Sequence, residues 1–205
     1  MCSVPKETDL KPFNEDKNME TMNAQRVCPV ELAGGLDNWV RKLLQNPEKI
    51  LKPYITEGMT VLDLGCGPGF FSVGIGKLLK DTGKVIAADL QEGMLEKVRE
   101  KIKGTNLESR ITLHRCKDDR IDVTEKVDFV LAFYVVHEVP DQDQLFRELK
   151  SILKPDGKIF IVEPNFHVSK KAFDAMIARL GEIGMEVSET PKIFFSRSVV
   201  LKLRT

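Results

Sequence analysis

The residues best suited to chemistry lie in one run, Val61-Leu62-Asp63-Leu64-Gly65-Cys66-Gly67-Pro68-Gly69-Phe70. A short apolar stretch leads into glycines at alternate positions, and a helical pattern starts directly behind them. Gly65 and Gly67 allow positive φ and a close approach of ligand to backbone. A helix N-terminus behind such a turn offers unpaired N–H groups and partial positive charge, which suits a nucleotide-like ligand or a carboxylate. A dinucleotide fingerprint needs G-x-G-x-x-G, and here Phe70 stands where the third glycine belongs. Pro68 also removes an N–H from any phosphate cradle. A nicotinamide dinucleotide therefore fits poorly. Asp89 follows Gly69 by 20 residues, at the end of the next apolar segment. A carboxylate there can accept both hydroxyls of a ribose; its other available role is to cap the next helix.

The elements that must position these residues follow from periodicity. Thr60–Leu64, Lys84–Asp89, Ile111–His114, Val127–Phe133 and Gly157–Val162 read as strands. The near-continuous apolar run Val127–Phe133 marks burial on both faces. Helical spacing predicts helices over Phe70–Leu79, Glu92–Lys103, Asp141–Leu153 and Ser169–Gly181. Alternating strands and helices argue for a doubly wound, Rossmann-like α/β sheet of seven strands, mostly parallel, with helices on both faces. Met185–Glu189 and Ser198–Leu203 follow with no helix between them and predict an antiparallel hairpin at one edge. Upstream, Leu36, Trp39, Val40, Leu43 and Leu44 share one helical face, and Asn46-Pro47 opens a second short helix. Residues 1–30 read as a flexible polar arm or a lid, and 31–205 as one domain, with 31–58 contributing to the cover of a substrate.

The glycine block resembles motif I of the class I S-adenosylmethionine-dependent methyltransferases, acidic-x-G-x-G-x-G, with Asp63, Gly65, Gly67 and Gly69 matching position by position. The resemblance extends to Val127–Phe133, which is similar to motif IV, and to Leu153-Lys154-Pro155-Asp156-Gly157, which is similar to the L-K-P-G-G turn. It covers about Pro47–Thr205. The small, insertion-free ubiquinone/menaquinone C-methyltransferases are the nearest subgroup. The resemblance implies S-adenosylmethionine as cofactor. Asp63 organises the loop, the glycines lie against the methionine part, and Asp89 binds the ribose. Leu90 packs near adenine, Asp118 (in Cys116-Lys117-Asp118-Asp119) takes the adenine amino group, and Phe133 closes the end of motif IV.

Methyl transfer from a sulfonium is an in-line displacement, in which the protein mainly positions the nucleophile. A base is needed only where the acceptor must lose a proton. The polar residues at the ends of the fourth and fifth strands are Tyr134, His137 and Glu138, then Glu163, Asn165 and His167. The first three are the catalytic candidates and the second three the acceptor-binding ones. His137 could serve as base, oriented by Glu138 or Glu163, or could be structural against the cofactor. His114 reads as structural. The acceptor is expected to be a small molecule, quinone-like or aromatic. Two alternatives stand beside it: a metalloid methyltransferase of the arsenite type, which needs cysteine thiolates, and a noncatalytic S-adenosylmethionine-binding subunit.

Composition narrows the field further. Lys+Arg and Asp+Glu are 31 each, so net charge is zero, which argues against a general nucleic-acid binder. The four cysteines, Cys2, Cys28, Cys66 and Cys116, form no C-x-x-C knuckle, and three histidines form no H-x-x-x-H pair, so no metal site is expected. The N-terminus lacks an apolar leader and Phe129–Val136 is too short to span a bilayer, which predicts a cytoplasmic protein.

Overall fold

The computed structural model describes residues 45–204. The arm and the Leu36–Leu44 helical pattern lie outside the described residues. The first described helix, α1 (Pro47–Leu51), starts where Asn46 and Pro47 predict: the Asn46 side chain accepts the Lys49 N–H at 3.0 Å, and Pro47 occupies the first turn.

There follow β1 (Thr60–Leu64), α2 (Phe70–Leu78), β2 (Lys84–Asp89), α3 (Glu92–Ile102), β3 (Ile111–Arg115), β4 (Val127–Phe133), a 3₁₀ turn (Val136–Glu138) and α4 (Gln142–Ile152). The chain continues through β5 (Leu153–Pro164), α5 (Lys170–Glu182), β6 (Met185–Glu189) and β7 (Ser196–Leu203). The seven strands lie in the order β3-β2-β1-β4-β5-β7-β6. Strands β1 to β5 pair in parallel, and β7 runs antiparallel to both β5 and β6. The order reverses between β1 and β4, and in such sheets the crevice outside the carboxyl ends of the strands at that reversal is where ligands bind.

Side-chain alternation divides the core. Val85 and Ala87 of β2 pack on the face covered by α1, α2 and α3, with Leu51, Ile75 and Val98. Ile86 and Ala88 pack on the face covered by α4 and α5, with Phe146, Leu149, Met176 and Leu180. Each such fully buried Leu or Phe side chain stabilises the fold by about 1.5–3 kcal/mol relative to exposure.

The one substantial departure from the sequence reading is β5. It begins at Leu153, where the pattern predicts a turn before Gly157. Val127 pairs with Leu153 and Phe129 with Lys158, so the intervening residues of β5 form a bulge inside the ladder. The turn chemistry of Pro155-Asp156-Gly157 is thus used to make an irregularity within the strand. Lys154 secures it by an ion pair to Asp128 at 2.7 Å.

Candidate active site

At the carboxyl ends of β1, β2 and β4 the sheet opens into a cavity of about 1260 Å³. Typical single-ligand pockets are ~300–1,000 Å³, so this one lies just above that range.

The glycine loop forms one wall. Gly65, Gly67 and Gly69 all have positive φ, at 66°, 52° and 81°. Their surroundings differ. A Cβ on Gly65 would lie 2.5 Å from the Val135 side chain, and one on Gly69 would lie 3.0 Å from Val98. A Cβ on Gly67 meets nothing within 4 Å. Gly65 and Gly67 both line the cavity, and only Gly67 has open space where a Cβ would stand. Gly69 packs behind the loop against α3 and does not line it.

Two buried carboxylates hold the loop. Asp63 accepts the Ser72 hydroxyl at 2.5 Å, tying β1 to α2. Asp89, at the end of β2, accepts the N–H of Gly67 and that of Gln91, each at 2.9 Å. Asp89 thus braces the turn before α3 without capping that helix, whose N-cap is Gln91, and it lines the cavity. Burial raises its carboxyl above the ordinary value of 3.8, and the N–H bonds from Gln91, Gly67 and Leu90 oppose that rise.

Leu90 and Phe133 also line the cavity. So does the Cys116–Asp119 segment. Lys117 turns to Asp122 at 2.7 Å and Asp119 lies 3.4 Å from Arg120. Asp118, exposed on the cavity wall, is engaged by no ion pair among the described residues.

The end of β4 supplies the second wall. Tyr134 has φ +64°, unusual for a residue with a side chain. Its hydroxyl accepts a hydrogen bond from Gln45 Nε2 and shares one with Ser196 Oγ, both at 2.6 Å. The ring lines the cavity against Phe133, with centroids 4.6 Å apart. The hydroxyl is therefore engaged in holding the wall. Gln45 and Ser196 carry no local motif and were not legible as site residues, because they meet Tyr134 only through the tertiary fold.

His137 lies in the 3₁₀ turn and lines the cavity. Its Nδ1 is hydrogen-bonded to Glu163 Oε2, while Glu163 Oε1 accepts the Val136 N–H at 2.9 Å. Glu163 is 1% exposed and does not line the cavity; it sits behind His137. A carboxylate only accepts, so Nδ1 carries the proton and Nε2 is the nitrogen left for other partners. The hydrogen bond to Glu163 raises the His137 imidazole above 6.5, burial opposes this, and the charges of Glu163 and Glu138 add to it. Glu138 lines the cavity too. Burial pushes its carboxyl up to about 7, with the neighbouring His137 lowering it and Asp89 and Glu163 raising it.

Of the candidates after β5, His167 reaches the cavity, stacked on His137 at 5.6 Å between centroids. Asn165 is exposed and lies off the cavity wall, with its N–H on the Phe195 carbonyl at 3.1 Å. His114 is held by the Ile121 carbonyl at 2.7 Å, in line with its structural reading. Cys66 and Cys116 both line the cavity, and burial pushes the first thiol well up and the second up to about 12. Cys28 lies outside the described residues. No cluster of three or more metal-ligating side chains occurs among the described residues.

A family model described as a methyltransferase domain matches residues 55–194. The chain belongs to this family. It is a class I S-adenosylmethionine-dependent methyltransferase domain, with the Rossmann-like sheet its motifs imply. A demethylmenaquinone methyltransferase of Lactobacillus johnsonii is 32% identical over 131 residues, covering 63% of this chain and 51% of that protein. The ubiquinone/menaquinone biosynthesis C-methyltransferase UbiE of Escherichia coli is 28% identical over 137 residues, covering 63% and 55%. The chain spans about half the length of the curated relatives it matches. The crystal structure of a SAM dependent methyltransferase from Aquifex aeolicus superposes with a TM-score of 0.76 at 27% identity, covering 85% of this chain and 98% of that one. The methyltransferase site fits the cofactor: Gly67 leaves an open cradle and Asp89 presents a buried acceptor beside it.

Proposed function

We propose that this methyltransferase modifies a small, apolar acceptor of the quinol or phenol type, with His137 as general base. The observation that carries the reading is the His137–Glu163 pair, which fixes the imidazole on the cavity wall with Nδ1 engaged. When bound, S-adenosylmethionine supplies an electrophilic methyl group. The Gly67 backbone and Asp63-braced loop hold its amino-acid end, Asp89 accepts the ribose hydroxyls, and Asp118 with Leu90 receives adenine. Nε2 of His137 takes the proton that an acceptor hydroxyl must release, and Glu163 stabilises the resulting imidazolium. Glu138, nearly neutral at pH values below about 7, keeps the acceptor wall from carrying full negative charge.

Aromatic side chains on the cavity, Phe70, Phe71, Phe133, Tyr134 and Phe166, favour a flat apolar acceptor. The names of the curated relatives, which concern demethylmenaquinone and ubiquinone/menaquinone, support a quinone-type one. The metalloid alternative is disfavoured, because buried Cys66 and Cys116 thiols with raised pKa resist forming the thiolates it needs. Transfer of labelled methyl from S-adenosylmethionine is the test, with a short-chain naphthoquinol, a catechol and an aryl ether lacking a hydroxyl. Label should enter the hydroxyl-bearing acceptors, and His137→Ala should lower that rate by ~10²-fold or more. Cofactor binding without transfer to any quinol or phenol would refute the reading and favour a noncatalytic subunit.

A further inference from the structure

Among the described residues four large apolar side chains are exposed, and three of them lie on two neighbouring segments beside the cavity: Phe166 at 73%, Phe194 at 49% and Phe195 at 63%. They come from the segment after β5 and the segment before β7. Two bonds stitch these segments together. The Asn165 N–H donates to the Phe195 carbonyl at 3.1 Å, and Arg197 Nε donates to the Val168 carbonyl at 3.0 Å. Phe194 and Phe195 pack edge to face at 4.3 Å between centroids. Phe166 lines the cavity itself and leans on His167 at 4.9 Å, which in turn stacks on His137. Phe166, His167 and His137 therefore form a series of rings from the exposed surface to the candidate base.

The two segments that carry these rings bring Lys171, Lys192 and Arg197 beside them, while Lys170 is paired with Asp174 at 2.5 Å and Glu189 lies just ahead of the second segment, in a chain whose net charge is zero. Soluble monomers rarely leave clustered aromatics in water without a partner. Aromatics flanked by Lys and Arg are the composition that seats on an anionic bilayer surface, the rings entering the headgroup boundary and the cations facing lipid phosphates. No helix among the described residues is long and apolar enough to cross a membrane. Contact at the surface is then the geometry open to this rim.

We propose that the Phe166–Phe194–Phe195 rim docks on an anionic lipid surface, so that the cavity mouth opens toward the bilayer. An apolar acceptor dissolved in the membrane would enter past Phe166 without crossing water. The docking rests on the surface alone. The entry route rests also on the apolar acceptor proposed above, and the two are separable because vesicle binding is measured with no acceptor present.

The test uses the full chain, sedimented with vesicles of phosphatidylcholine plus phosphatidylserine or of phosphatidylcholine alone. The parent should partition onto the anionic vesicles and much less onto the neutral ones. Phe194→Ser/Phe195→Asn should weaken that partition at least ~10-fold. Lys171→Glu/Lys192→Glu should weaken it roughly fivefold or more per charge, and added salt should do the same to the parent. Both variants should bind S-adenosylmethionine as the parent does, since none of the four residues lines the cavity. The lysine variant changes only exposed side chains, so it keeps the test decisive should the phenylalanine variant fold poorly. A parent that stays in the supernatant overturns the proposal, and so does undiminished sedimentation of both variants. Light scattering that finds a parental dimer, dissociated by Phe194→Ser/Phe195→Asn and indifferent to vesicles, also overturns it and assigns the rim to a second copy of this chain.

Discussion

Glu163→Gln separates a base held ready for proton transfer from a histidine that merely packs. The amide oxygen can still accept the Val136 N–H, now at 2.9 Å, so the turn keeps its anchor. What is lost is the negative charge at Nδ1 of His137. The hydrogen bond to that carboxylate is the leading cause of the raised imidazole pKa, and burial works against it. Without the charge, burial is left to act, and the His137 pKa should fall. Because the folded pKa lies above 6.5, the pair's stabilisation is complete below that value and is lost as pH rises through the folded pKa. A hydrogen bond to a charged group contributes about 1.5–3 kcal/mol. The variant should therefore unfold more easily than the parent by about that amount near pH 6, with the deficit shrinking toward pH 9. Urea unfolding at the two pH values reads this directly. Activity carries a second signature. A base works deprotonated, so the parental rate should rise through the His137 pKa, and in the variant that limb should move to lower pH. At its plateau kcat should drop ~10-fold or more while the KM for S-adenosylmethionine holds. If the His137 ring protons titrate at the same pH by NMR in both proteins, or if the stability deficit does not vary with pH, the reasoning fails.

Asp89→Ala should weaken S-adenosylmethionine binding by about 1–3 kcal/mol, because buried hydroxyls lose their acceptor, and unchanged affinity by calorimetry would remove Asp89 from the ribose site. Gly67→Val has room for its side chain only in the open cradle, so it should yield a folded protein that does not bind the cofactor; strain at φ +52° should cost about 1–2 kcal/mol in thermal unfolding. Burial holds the Glu138 carboxyl up at about 7 against a usual 4.5, so the native state binds the extra proton and parental stability falls as pH rises through that window. Glu138→Gln should remove this slope and gain about 1 kcal/mol at pH 8 once solvent screening is allowed for, as followed by denaturant titration. Cys66 and Cys116 should resist iodoacetamide at neutral pH, checked by mass spectrometry, because burial keeps both thiols protonated.

The sheet and the cofactor cradle were readable from sequence because each is specified locally. Apolar runs bounded by polar or glycine-containing turns give β1, β2 and β4 to the residue, and α/β alternation dictates parallel pairing. The start of β5 was not readable, since Lys154-Pro155-Asp156-Gly157 has turn composition and only the opposing register of β4 converts it to a bulge. The choice between Glu138 and Glu163 as partner of His137 was also out of reach. Both follow strand ends at suitable spacing, and only the folded packing shows Glu163 behind the imidazole and Glu138 on the cavity wall. The same holds for the glycines. Motif spacing treats Gly65, Gly67 and Gly69 alike, whereas their neighbours show that Gly65 and Gly69 relieve crowding by Val135 and Val98 and only Gly67 has open space at its Cβ position.

The Tyr134 hydroxyl joins three distant parts of the chain: Gln45 ahead of α1, the end of β4, and Ser196 at the start of β7. Such a node makes local opening collective. Movement of the Tyr134 ring breaks both bonds at once, and a backbone held at φ +64° gains by relaxing once its side chain is untied. Amide hydrogens near Gln45 and at the beginning of β7 should then exchange as one unit, 151 residues apart in sequence, and a ligand that presses on the Tyr134 ring should slow both together. Cavity occupancy would thereby be reported at β7, the last strand in the chain, through a single phenolic oxygen.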